Sequence, residues 1–219
     1  MKRRNTTAPL LLALCLLFGT AACGGDENPT LSKTMQIPAL PADFDQFVSL
    51  GEYGDNLSAA IAAEKYIHLP AKKILVDNPI VIDRQEPLYI LGTDRYATTL
   101  VGTNDQEPLF IVKNAPRITF HNVKFWPAHK SGGSSTNTEV RSVLFENESP
   151  LRADFHSTMI MHSTVEIRGA GDFVFQGTNL FPNGWVYTGV LLDHPDAQVV
   201  FTGGNINTGG QAPQEELKH

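Results

Sequence analysis

Three stretches of this chain are copies of one pattern. "PLFIVKNAPRITFHNVKF" (108–125), "TVEIRGAGDFVFQGTNLF" (164–181) and "GVLLDHPDAQVVFTGGNI" (189–206) each carry an apolar run, a turn rich in Asn, Gly, Pro or Asp, a second strand and a third apolar point. A looser copy, "VLFENESPLRADFHSTMI" (143–160), lies between the first two. Units that recur every ~20–50 residues cannot bury an apolar face alone, so they stack on their neighbours.

Strand alternation narrows the choice of stack. Ile118 and Phe120, Phe173 and Phe175, and Val199 and Phe201 alternate with Thr119, Val174 and Val200, so one set points inward and the other outward. The predicted interior contains Phe120, Phe173, Phe175, Val199 and Phe201. Leucine-rich repeats would place Leu and Asn at fixed offsets that are absent here, and propeller blades would need four longer strands. The pattern predicts an all-β chain folded as a right-handed parallel β-helix of about six coils, each of about 22–27 residues.

The flanks are of different character. Residues 24–41 are polar, contain Pro29, Pro38 and Pro41, and read as part of a tether. Asp55 or Asn56 can cap a short helix in which Leu57, Ala60, Ile61 and Glu64 fall at helical spacing, and it is expected to be the only substantial helix. The expected organisation is a signal peptide over 1–22, a tether over 23–50, the stacked domain over 51–210 and a polar tail over 211–219. The insertion "AHKSGGSSTNTE" (128–139) holds nothing that suits a core and is expected as a protruding loop.

"DNLSAAIAAEKYIHLPAKKILVDNPIVI" (55–82), "PLYILGTDRYATTLVGT" (87–103) and "PLFIVKNAPRITFHNVKF" together resemble the start of pectate-lyase-like β-helix proteins, with a capping helix followed by successive coils. The resemblance spans about residues 55–206 and implies fold more than activity.

A second resemblance lies at the N-terminus. Lys2, Arg3 and Arg4 precede an apolar run, Ala8 to Phe18, that is well short of the ~20 residues of a membrane-crossing helix and reads as an export signal. Thr20-Ala21-Ala22-Cys23 resembles the bacterial lipobox, although Thr20 stands where that pattern usually has Leu, Val or Ile. The resemblance implies lipidation of Cys23 and anchoring to the cell envelope, at the outer membrane in a Gram-negative cell given Gly24 after the cysteine. The other reading is an ordinary signal peptide with Cys23 incidental. Beyond residue 22 Cys23 is the one thiol, so no internal disulfide is expected.

Three of the 17 basic residues and none of the 23 acidic ones lie in residues 1–22, which leaves a charge of −9 beyond them. That argues against nucleic acid and against anionic glycan held by charge alone. Gly169-Ala170-Gly171, Gly203-Gly204 and Gly209-Gly210 mark turns rather than a nucleotide site, because none opens a helix after a strand.

Aligning Phe120, Phe175 and Phe201 puts His121, Gln176 and Thr202 in one outward row and Lys124, Asn179 and Asn205 in another. With Trp126, these are the candidate ligand-binding residues: aromatic and polar residues such as Trp126, His121 and His129 beside an exposed loop can stack on a sugar ring, whereas the preferred reading of Trp126 and Trp185 is as core-edge residues. A glycosidase needs two carboxyls about 5–10 Å apart, and these rows are poor in acids. Asp172, Asp193 and Asp196 precede outer strands and form a weak Ca²⁺ candidate, against the ordinary preference of Asp for turns. His156 and His162 with Asp154 could hold a metal if one face carried all three, which an intervening turn would prevent. "LLDHPD" (191–196) lacks the Arg-x-Pro-x-x-Arg partner of pectate lyases, and the alginate-epimerase and polygalacturonase signatures are also missing.

The expected role is therefore an envelope lipoprotein whose β-helix offers a binding or scaffolding surface to carbohydrate or a protein partner, with no cofactor. The alternative is a polysaccharide lyase or epimerase acting on uronate glycans, which would bring in Ca²⁺. At the end of the stack, where strand edges lie open, three arrangements are expected as alternatives: the tail folds over it, another subunit stacks there as a homo-oligomer contact, or the chain is a truncated relative of longer proteins.

Overall fold

The computed structural model describes residues 44–104, 107–127, 140–181 and 189–206. The signal peptide, Cys23, most of the tether, the 128–139 insertion with His129, Trp185 and the 211–219 tail lie outside the described residues.

The chain opens with β1 (Val48–Ser49), a 3-10 turn and the helix α1 (Leu57–Ala63), followed by β2 (Tyr66–Leu69), β3 (Lys73–Val76) and β4 (Ile80–Asp83). Next come β5 (Leu88–Gly92), β6 (Thr99–Gly102) and β7 (Phe110–Asn114), then β8 (Arg117–His121), β9 (Lys124–Trp126) and β10 (Arg141–Phe145). These are followed by β11 (Leu151–His156), β12 (Met159–Met161) and β13 (Thr164–Ile167), then β14 (Gly171–Gln176), β15 (Asn179–Phe181) and β16 (Val190–Leu192). The last described strands are β17 (Ala197–Thr202) and β18 (Asn205–Ile206).

The fold is all-β with parallel sheets, and from β2 onward the chain visits three of them in rotation. The first sheet has the order β1-β2-β5-β8-β11-β14-β17, the second β3-β6-β9-β12-β15-β18 and the third β4-β7-β10-β13-β16. Apart from β1 and β2, which follow one another within the first sheet, every pairing is between strands three apart in chain order. α1 is the expected helix. Asn56 caps it by accepting from the Ala59 amide at 3.0 Å, and Arg84 donates to the Ile61 and Glu64 carbonyls at its other end, both at 2.8 Å.

The core is a ladder of inward residues. Ile67, Ile90, Phe120, Phe155, Phe175 and Phe201 occupy one register position of the first sheet. Phe120, Phe155, Phe175 and Phe201 stack with ring centroids 5.3, 4.7 and 4.9 Å apart. Phe120, Phe173 and Phe175 are fully buried, as the alternation predicts. Phe201, in the same row, is 45% exposed, and Val199 is only half-buried, because among the described residues β17 is the last strand of its sheet.

One further expectation is corrected. The spacing within this row runs from 20 residues (Phe155 to Phe175) to 35 (Phe120 to Phe155), a wider range than the expected coil length, because the connections between strands differ in length. Thr119 and Val174 face outward as expected, and they are buried on that outer face together with Asp154. The first and second sheets meet at a tight corner in which Asn122, Ser157, Gly177 and Gly203 all adopt left-handed φ between 50° and 68°. Asn and Gly accept that conformation most readily, which accounts for the Asn- and Gly-rich turns of the repeat.

Candidate functional site

The most concentrated chemistry lies on the outer face of the first sheet. β8 reads Arg-Ile-Thr-Phe-His and β11 reads Leu-Arg-Ala-Asp-Phe-His, and the two pair in register: Arg117 beside Arg152, Thr119 beside Asp154, His121 beside His156. Ile118, Phe120, Ala153 and Phe155 turn inward and are buried, so the alternate residues form a six-membered outer cluster on two adjacent strands.

Asp154 is fully buried there and is held by both arginines, with Arg152 Nε at 2.9 Å and Arg117 Nη2 on the other carboxylate oxygen. A buried carboxylate is tolerable only when its charge is matched and its lone pairs are used. Glu166 on β13 repeats the device, held by Arg168 Nε at 2.6 Å and by Arg141. Each acid is thus paired with two arginines.

The His121 and His156 rings meet edge to face with centroids 4.2 Å apart. Burial, followed by the neighbouring His156, pushes the His121 pKa down from 6.5 to about 4. Burial also lowers His156, with Asp154 opposing it. Both rings are therefore neutral at neutral pH, and their buried Nδ1 atoms have no hydrogen-bond partner among the described residues. An imidazole with so low a pKa is a weak general base. Neutral imidazoles and clamped carboxylates suit hydrogen bonding better than proton transfer.

The expected rows exist in the structure. His121 and His156 continue into Gln176 and Thr202 on the first sheet. Lys124, Met159, Asn179 and Asn205 form the second row, on the second sheet. The looser repeat inserts His156 and Met159, one polar and one apolar, into these rows.

Beside the second row runs an outer apolar ladder: Leu75 pairs with Val101, Val101 with Trp126, and Met161 with Phe181. Met161 follows Ile160, which pairs with Phe125 next to Trp126, so the ladder is continuous across β3, β6, β9, β12 and β15. Leu75 is 63% and Trp126 39% exposed, and Val101, Met161 and Phe181 are half-buried. Lys124 Nζ lies 5.9 Å from the Trp126 ring centroid and the His162 ring 6.5 Å from it.

The remaining candidates form no metal site. Asp154 and His156 share a strand face, but His162 sits at the corner after β12 with φ 52°, beside Trp126, so the three do not meet. Asp172 stands beside Arg152 on β14, and the β16–β17 turn with Asp193 and Asp196 adjoins it, the Gly171 amide donating to the Asp196 carbonyl at 3.3 Å. Among the described residues no group of three His, Cys, Asp or Glu could hold a metal ion, and no helix is long and apolar enough to cross a membrane.

Arg117, Arg152 and Thr119 were not singled out by the row alignment. The signal that reveals them is the repeated Arg-x-[Thr/Asp]-Phe-His at 117–121 and 152–156. No protein-family model, curated protein or solved structure matches this chain.

Proposed function

We propose that the three sheets are the faces of one right-handed parallel β-helix, carried by an exported lipoprotein anchored through Cys23, and that this body binds carbohydrate along the outside of its second sheet. Rotation among three parallel sheets from β2 onward supports the β-helix, and the strong preference of parallel crossovers for one hand supports its handedness.

The observation that carries the binding role is the outer ladder from Leu75 to Phe181 with Trp126 exposed at its middle, flanked by the Lys124, Asn179 and Asn205 row. Aligned exposed apolar residues are costly to keep in water unless they serve an interaction. A ladder one residue wide next to ammonium and amide donors suits a sugar chain, whose faces are apolar and whose rims carry hydroxyls. Lyase or epimerase chemistry would need a free acid–base pair, whereas Asp154 and Glu166 are each engaged by two arginines.

The test is a glycan-binding screen read by tryptophan fluorescence, paired with membrane fractionation. Trp126→Ala is expected to abolish binding of the selected glycan, and Cys23→Ser to move the protein out of the membrane fraction. Unchanged binding by Trp126→Ala overturns the ladder assignment. Formation of unsaturated product from uronate polymers would favour the lyase instead.

A further inference from the structure

Among the described residues, β16, β17 and β18 are each the last strand of their sheet. Their inward residues have a neighbour on one side only: Phe201 stacks on Phe175, and Leu192, in register with the fully buried Ile167, is 48% exposed. The other end of the stack differs, since α1 packs Leu57, Ala60 and Ile61 into the core cluster.

β17 (Ala-Gln-Val-Val-Phe-Thr) has no charge, no proline and an unbroken register with β14. Proteins blunt exposed edge strands with charge, proline or bulges, and β17 has none of these. The Gly171 amide donates to the Asp196 carbonyl and the Gly177 amide to the Thr202 carbonyl. Backbone groups alternate sides along a strand, so Asp196, Gln198, Val200 and Thr202 face β14, and Ala197, Val199 and Phe201 direct their amides and carbonyls to the open edge.

We propose that this edge is a homodimer contact, in which β17 pairs antiparallel with β17 of a second copy of the chain about a two-fold axis. Directly opposed residues must both present their backbone groups to the seam, which sets Val199 opposite Val199 of the second copy and Ala197 opposite its Phe201. Three opposed pairs supply about six main-chain hydrogen bonds. The pairing matches itself: large Phe201 meets small Ala197, and Val199 meets its own kind. Charge permits it too. Asp193 and Asp196, the only formally charged residues of 189–206, precede β17, and the antiparallel pairing sends them to opposite ends of the seam, where Asp196 faces Thr202 of the second copy. An unrelated strand would find no charged residue on β17 to select it, whereas a second copy brings the matching series of sizes. The contact is independent of the glycan reading, because the ladder lies on the other strands of the second sheet.

The test is sedimentation velocity of the full chain in a mild non-ionic detergent across a range of concentrations. A reversible monomer–dimer equilibrium is expected. Val199→Pro removes an amide that faces the seam and not β14, so the circular-dichroism spectrum should be retained while association weakens about tenfold or more, the consequence of two lost main-chain bonds. Phe201→Lys, at an exposed position, is the second variant and should weaken association by removing the Phe201–Ala197 contacts at both ends of the seam and setting a strongly hydrated ammonium in their place. A wild-type chain that stays monomeric throughout, as it would if its own C-terminal residues covered the edge, overturns the proposal. So does a dimer that a folded Val199→Pro or Phe201→Lys chain still forms unchanged.

Discussion

Truncating Phe155 tests the stacked core at its middle. The ring is fully buried between Phe120 at 5.3 Å and Phe175 at 4.7 Å, and it touches Phe125 and Phe145 at 6.1 and 6.3 Å. Removing it costs the transfer of a buried aromatic, the cavity left between two clamped strands and two stacking contacts, together about 4 kcal/mol. Phe201→Ala makes the same chemical change in the same row, but the ring is 45% exposed and stacks on one neighbour only. Its cost should be about 1–2 kcal/mol. With a urea slope of about 2 kcal/mol/M, Phe155→Ala should lower the unfolding midpoint by about 2 M and Phe201→Ala by under about 1 M. Equal costs would refute the placement of β17 at the end of the stack, and a Phe155→Ala cost below about 1 kcal/mol would refute the ladder.

Further predictions concern the polar outer face and the corners. Asp154→Asn should destabilise the fold by about 3 kcal/mol or more in urea titration, since it leaves two arginine charges poorly matched; Asp154→Leu combined with Arg117→Met and Arg152→Met should cost less than the single change. His121 is neutral when folded and protonates more readily when unfolded. Its contribution to stability is therefore full above about pH 6.5 and lost as pH falls towards about 4. His121→Gln should flatten the urea midpoint over that window, and an identical pH profile would show that the ring is not held as described. Gly171→Ala should lower the thermal midpoint sharply, because φ is 138° and a Cβ would lie 2.0 Å from the Leu151 carbonyl oxygen. Gly177→Asn should be tolerated, since Asn122 holds the same corner conformation at φ 56°.

The sequence was most legible where a strand carried two inward residues. Ile118 with Phe120, and Phe173 with Phe175, reveal their strands by alternation, and the rows built on them stand in register. The second sheet was read only as a series of third apolar points. Its strands β9, β12 and β15 are three residues long and each sends one residue inward, Phe125, Ile160 or Leu180, too few to show a period. The same brevity hid the outer ladder, of which only Trp126 was singled out. The Asp154 cluster was partly legible through its histidines. What stayed hidden was burial on the outer face, because strand alternation marks Thr119 as outward but shows nothing of Arg117 and Arg152 folding onto the Asp154 carboxylate beside it.

The central claim is that successive circuits stack in one register along a single axis. Lys73 on β3 and Asn205 on β18 stand in the same row of the second sheet, five strand steps apart. Spin labels at these two positions, in a chain otherwise free of cysteine and diluted into excess unlabelled protein, measure that span directly by pulsed dipolar spectroscopy. Stacking at ~4.8 Å per strand predicts one narrow distribution centred near ~24 Å. A broad distribution, or one centred beyond ~35 Å, would contradict the stack, since five parallel steps cannot reach so far.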